Sequence, residues 1–200
     1  MFLYRKCKEE KCDAYSATGD EFCLHHSPKK EILLSLAREE LTGDKDIIDY
    51  SLNGAGFKNL EIENKKIIGS TFAFNVFENC TFRNVTIINT FFDFAIFRNC
   101  KFISSSIRYS NFSGAMFELS EIHDSTVIHD NFNGADILQS DFSENDFYYS
   151  TFIMSKLIQV KMEDCNLKRS DFSSSIIQGI SFKYSNPDEA QFKKRGEVMS

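Results

Sequence analysis

Every fifth residue from 47 to 182 is large and apolar, without a miss. The twenty-eight positions begin Ile47, Leu52, Phe57, Ile62, Ile67, Phe72 and end Leu167, Phe172, Ile177, Phe182. A helix repeats its faces every 3.6 residues and a strand every 2.0, so a period of five belongs to neither. Twenty-one Phe, no Trp and only two Pro describe a chain that reuses one bulky side chain. Internal repeats are the reading that such usage demands.

The residue two before each large one is usually small: Ala55, Ser70, Cys80, Ala95, Cys100, Ser105, Ala115, Ser125, Ala135, Ser150, Cys165 and Ser175. With Ala55-Gly56-Phe57, Ala115-Met116-Phe117, Ala135-Asp136-Ile137 and Cys165-Asn166-Leu167, the chain resembles the pentapeptide-repeat family, whose unit reads A(D/N)LXX. The resemblance implies a right-handed quadrilateral β-helix, an all-β solenoid. Its first independent support is a longer period. Sorting by twenty puts Phe72, Phe92, Phe112, Phe132, Phe152 and Phe172 on one face and Ile67, Ile87, Ile107 and Val127 on another. Four repeats per coil then give seven coils stacked at the strand spacing, a rod of roughly 34 Å.

Residues 1–27 are compositionally separate, with Cys7, Cys12, Cys23 and His26 in the spacing C-x4-C-x10-C-x2-H. A short polar segment cannot bury enough apolar surface to fold alone. Two pairs of soft or borderline ligands are what tetrahedral Zn²⁺ takes, and four protein ligands make the site structural, with no open position for catalysis. Adjacent His25 can serve in place of His26. Ser27 and Pro28 read as the cap and first residue of a helix over 28–43, with Ile32, Leu33, Leu36, Ala37 and Leu41 as its apolar stripe and Gly43 ending it in the left-handed conformation. That helix is expected to cap the first coil. The β-helix itself is expected over 44–186, and 187–200 as a tail, because Pro187 breaks the phase even though Ala190-Gln191-Phe192 resumes it.

Net charge is −6, the wrong sign for direct nucleic-acid binding. Residues 1–6 are too short an apolar start for a signal peptide, and no run nears the ~18 residues that span a bilayer. The expectation is a cytoplasmic protein with no membrane association. There the six Cys stay reduced unless they hold metal. His123 and His129 point outward on different faces, and the chain carries no phosphate-cradling glycine loop or nucleophile elbow, so no catalytic residue is assigned.

Two outward features remain. An apolar stripe, placed where the fourth face turns into the first, includes Phe74, Phe94, Tyr109, Tyr148, Tyr149 and Met154, residues suited to a protein interface or to self-association. Residues 118–146 are rich in acid with no Lys or Arg, and the twenty-residue ladder stacks Asp124 and Glu144 from that stretch with Asp164 in one column. Some members of the resembled family mimic duplex DNA and occupy the DNA site of type II topoisomerases, which makes gyrase inhibition or protection the alternative function. The first expectation is a non-enzymatic scaffold that meets a protein partner through its faces or its zinc knuckle. Asp130 stands out because it fills an inward small-residue slot.

Overall fold

The computed structural model describes residues 4–192. It is a four-sided β-solenoid of about seven turns, in which each residue pairs with the one twenty places on: Ile47 with Ile67, Phe77 with Phe97, Phe82 with Phe102. Among the described residues, three faces carry parallel sheets of six, seven and four strands. The faces are numbered here by their central large residues. Face 1 holds Leu52 and Phe72 to Phe172, and it is joined by single bridges from Ser51 and Thr71 up to Asp171 and Gln191. Face 2 is centred on Phe57, Phe77, Phe97 and Phe117, face 3 on Ile62, Phe82 and Phe102, and face 4 on Ile67, Ile87 and Ile107.

The interior is a set of aromatic columns. Phe92, Phe112, Phe132, Phe152 and Phe172 stack along face 1 with ring centroids 4.7–5.1 Å apart. Edge contacts tie neighbouring columns, as between Phe77 and Phe82 at 5.6 Å. The small inward residues satisfy the polar backbone of the corners. The Ser120 hydroxyl accepts the Cys100 N–H at 3.1 Å and donates to the Phe97 carbonyl at 3.0 Å. Each corner needs a residue with positive φ, and Asn fills many of them: Asn59, Asn64, Asn79, Asn84, Asn89 and Asn99 all lie near +50°. Their amides ladder outward, Asn99 Nδ2 donating to Asn79 Oδ1 at 2.8 Å.

The cap differs in detail from the sequence expectation. Helix α1 spans Lys30–Thr42, two residues later than Pro28, because Pro28 and Lys29 form a turn in which the Ser27 hydroxyl accepts the Lys29 N–H at 2.9 Å. Only Leu33, Ala37 and Leu41 of the stripe are buried; Ile32 and Leu36 are 58% and 49% exposed. A helix lying on a flat coil end buries one narrow stripe, and those two residues fall on its outer shoulder. Gly43 is extended, with φ −75°, and not left-handed. It is glycine for a different reason: a Cβ there would stand 2.7 Å from the Glu39 carbonyl. At the far end the solenoid runs past Pro187. A 3-10 turn at Pro187–Glu189 absorbs the phase break, and Phe192 stacks on Phe172 at 5.0 Å. Of the tail expected over 187–200, residues 193–200 lie outside the described residues.

One hydrophobic cluster runs from Ala17 and Leu24 through α1 to Phe172. The knuckle and the rod therefore share a core. No helix among the described residues is long and apolar enough to cross a membrane.

Candidate metal centre and surface columns

The N-terminal segment folds back on itself through an antiparallel bridge between Lys6 and Tyr15, with the Cys7 N–H donating to Ala14 at 2.9 Å and the Ser16 N–H to Arg5 at 2.8 Å. That hairpin presents Cys7 and Cys12. A turn in which the His26 and Ser27 N–H groups both donate to the Cys23 carbonyl presents the other pair. Ligand atoms of Cys7, Cys12, Cys23 and His26 all lie within 4.8 Å of one another. Cys7 Sγ and Cys23 Sγ stand 3.6 and 3.4 Å from His26 Nδ1, and Cys12 Sγ stands 4.0 Å from Cys23 Sγ.

Those separations fit a metal. Zn–S bonds of about 2.3 Å set the edges of a tetrahedron at about 3.8 Å for S to S and 3.5 Å for S to N. Burial works against ionising Cys7, yet the N–H groups of Cys23 and Glu9 and then the His26 ring hold its thiol down to about 6. The Cys23 N–H donates directly to Cys7 Sγ at 3.2 Å. Of the adjacent pair, His26 joins the cluster, and the His25 ring packs edge-on against it at 4.8 Å.

The knuckle is fastened to the first coils. The Thr18 N–H donates to the Ser51 carbonyl and the Ser51 N–H to Thr18 Oγ1, both at 2.8 Å, while the Tyr4 hydroxyl donates to the Gly69 carbonyl. Lys65, in an inward slot where a small residue belongs, is buried beneath the cap and donates to the Glu40 carbonyl at 2.7 Å. Burial lowers its pKa, opposed by Glu40, Asp44 and Asp46. The sequence carried the signal for this contact as a charged residue in an apolar phase, but its partner lies 25 residues back in the chain.

The apolar stripe expected at one corner is two separate columns. Phe74, Phe94 and Met154 occupy the corner after face 1, in a column completed by Gly114 and Gly134. Tyr109, His129 and Tyr149 occupy the corner after face 4, their rings 5.3 and 4.9 Å apart, with Arg169 closing the column over Tyr149 at 5.1 Å. Tyr148 meets Tyr149 edge-on at 5.0 Å. The two columns are parted because large residue and corner residue are two places apart in every repeat, so 74 and 109 fall on different corners of the square.

Asp124, Glu144 and Asp164 occupy successive turns of one exposed corner, each with φ between 49° and 60°, and the Ser104 hydroxyl donates to Asp124 at 2.9 Å. Other carboxylates alternate with cations along the rod. Glu78 lies between Lys58 and Arg98, Arg98 also pairs with Glu118, Lys101 with Glu121 and Lys161 with Asp141. His123 faces Asp141 at 3.6 Å and His129 is sandwiched between tyrosines, so the two histidines sit in different columns.

Residues 76–114 match the family model for pentapeptide repeats, in eight copies. Among solved structures, the solenoid is similar to a trypsin-treated variant of QnrB1, described as a plasmid-mediated fluoroquinolone resistance protein, at 19% identity over 71% of this chain and 79% of that one, with a TM-score of 0.40. It is also similar to the pentapeptide repeat protein Rfr23 from the cyanobacterium Cyanothece 51142, at 8% identity over 80% and 99% of the two chains and a TM-score of 0.36. A third is HetL of Nostoc sp. strain PCC 7120, described as involved in heterocyst differentiation regulation, at 13% identity over 83% and 95% with a TM-score of 0.31. Comparison with curated proteins finds no match.

Proposed function

We propose that the chain is a non-enzymatic, cytoplasmic pentapeptide-repeat scaffold that meets a protein partner at the zinc-bearing end of its rod. The observation that carries this reading is the pair Phe74 and Phe94, 61% and 56% exposed, stacked at 5.3 Å beside the knuckle. Aromatic anchors next to a rigid element are what protein interfaces use. Structural Zn²⁺ on Cys7, Cys12, Cys23 and His26 would hold that element in place. Metal analysis should return one zinc per chain, and Cys12→Ser should lose it; a variant that keeps full zinc removes the ligand assignment. Capture of a partner from native lysate should be lost in a Phe74→Ser/Phe94→Ser double variant. A chain that retains its partner in that variant docks elsewhere.

The second reading, a DNA-mimicking binder of a type II topoisomerase, rests on the Asp124, Glu144, Asp164 column. The alternating ion pairs on faces 2 and 3 leave that column short for a phosphate mimic, which needs carboxylates in long rows. A supercoiling assay separates the two. Micromolar protein should leave gyrase unaffected; an effect abolished by Asp124→Asn/Glu144→Gln/Asp164→Asn would establish the mimic.

A further inference from the structure

Between the knuckle and face 1 lies a cleft of about 550 Å³. One wall is Tyr4, Asp13, Ala14 and Tyr15 of the hairpin; the other is Phe74, Phe91 and Phe94 with Ala73 and Asp93 of the rod. Its lining contains two carboxylates and no Lys or Arg. Asp13 is already paired with Lys6 at 2.9 Å. Asp93 is in no ion pair among the described residues; its carboxylate accepts a hydrogen bond from Asn111 Nδ2, and burial pushes its pKa up.

The aromatic wall is held at a cost. Phe74 and Phe94 have φ of 60° and 55°, a region that bulky L residues seldom adopt and that Asn or Gly fills at many other corners. The next two residues in the same column, Gly114 and Gly134, show that the turn accepts glycine without strain. The Phe94 ring lies over Gly114, so closely that a Cβ there would stand 2.5 Å from it. Tyr109, His129 and Tyr149 stack with the same positive φ at another corner, so what sets the Phe74–Phe94 pair apart is that it forms one wall of a cleft opposite Tyr15.

We propose that this cleft binds an extended segment of a partner protein that carries a Lys or Arg side chain beside an apolar one. The apolar residue fills the space between Tyr15 and the Phe74–Phe94 stack. The cation lies across the ring face and reaches Asp93, an arrangement in which ring quadrupole and carboxylate both favour positive charge. This deepens the scaffold reading and rests on it. Because Tyr15 and Asp13 belong to the hairpin that presents Cys7 and Cys12, the cleft exists only while the knuckle is folded.

The test uses the purified full chain and fluorescence anisotropy with labelled peptides of sequence Gly-Leu-X-Phe-Gly, X being Arg, Gln or Glu. The Arg peptide should bind about fivefold tighter than the Gln peptide, the size expected of one partly exposed charge pair, and the Glu peptide more weakly still. Asp93→Asn should bring the Arg and Gln peptides together, and Phe74→Ser/Phe94→Ser, both at exposed positions, should abolish binding with circular dichroism unchanged. Equal binding of the three peptides, no binding of any, or an unchanged Arg preference in Asp93→Asn would overturn the proposal. Concentration-dependent sedimentation that Phe74→Ser/Phe94→Ser abolishes would instead make a second copy the occupant and overturn it too. If the peptides fail while a lysate partner is still captured through Phe74 and Phe94, the scaffold reading stands and this occupant does not.

Discussion

Asp130 sits in a column otherwise filled by Ser70, Thr90, Ser110, Ser150 and Ser170, and it copies half of what they do. Its Oδ1 accepts the Ser110 N–H at 2.6 Å, as Ser110 accepts that of Thr90. Thr90, Ser150 and Ser170 also donate to a carbonyl twenty-three residues back, Ser150 to Val127 at 2.8 Å, whereas Oδ2 of Asp130 is buried with no partner. A protonated carboxyl supplies the missing donor. Burial drives its pKa well up, opposed by the Ser110 N–H and by Arg108. The unfolded chain releases this proton near pH 4, so above that pH the native state binds the extra proton. Its stability then falls as pH rises, until the folded carboxyl itself ionises. Asp130→Ser should gain on the order of 1–3 kcal/mol at neutral pH, with the gain shrinking towards pH 4. Urea titrations of both chains at pH 4.5 and 7.5 measure this; a pH-independent difference would show that the carboxyl is ionised in the fold. Gly114→Ala tests a second single position. It meets both a positive φ of 65° and the Phe94 ring, and should cost about 1–2 kcal/mol in the same assay while displacing that ring.

At the scale of elements, interior columns and corner ladders contribute very differently. Phe97 stacks on Phe77 at 5.2 Å and Phe117 at 4.8 Å and is wholly buried, so Phe97→Ala should cost about 3–5 kcal/mol. The Asn59, Asn79, Asn99 ladder is exposed to water, which competes for each amide. Asn79→Ala there should cost about 1 kcal/mol, part of it from forcing Ala into a positive φ of 53°. Thermal denaturation of the two variants ranks them, and equal losses would mean that the corners share the stability of the core. Helix α1 is an intermediate case. Its apolar stripe and the Lys65 ammonium on its last turn cover the coil end, which otherwise exposes unpaired strand backbone.

For the whole molecule, each coil touches only its neighbours, so a disturbance at one end decays along the rod. Chelating the knuckle should raise amide exchange over residues 5–27 and weaken the cap, while residues 100–160 keep their protection. Exchange that rises uniformly would instead make the metal part of one cooperative unit, as the shared core from Leu24 to Phe172 allows. The five-residue spacing made the repeat legible at once, because a large residue and a small one recur at a phase that neither helix nor flat strand satisfies, and the twenty-residue recurrence matched the square coil that the family resemblance implies. The cluster of Cys7, Cys12 and Cys23 with a histidine was legible through spacing, apart from the choice of His26 over His25, which depends on which ring the turn after Cys23 aims inward. Less legible were the contacts between parts that are remote in the chain: Lys65 on Glu40, Tyr4 on Gly69, Tyr15 opposite Phe74.

By itself the sequence determined the period, the sorting of its large residues into four columns and the spacing that gathers Cys7, Cys12 and Cys23 with a histidine, since each follows from side-chain volume and chemistry at a fixed spacing. Tertiary structure alone decided which parts remote in the chain meet: it laid α1 over Lys65 and set the knuckle against face 1 to make a cleft. The physical reason is that repetition dictates what faces inward, where space is shared. What meets on the outside depends on how the ends of the chain are folded over it.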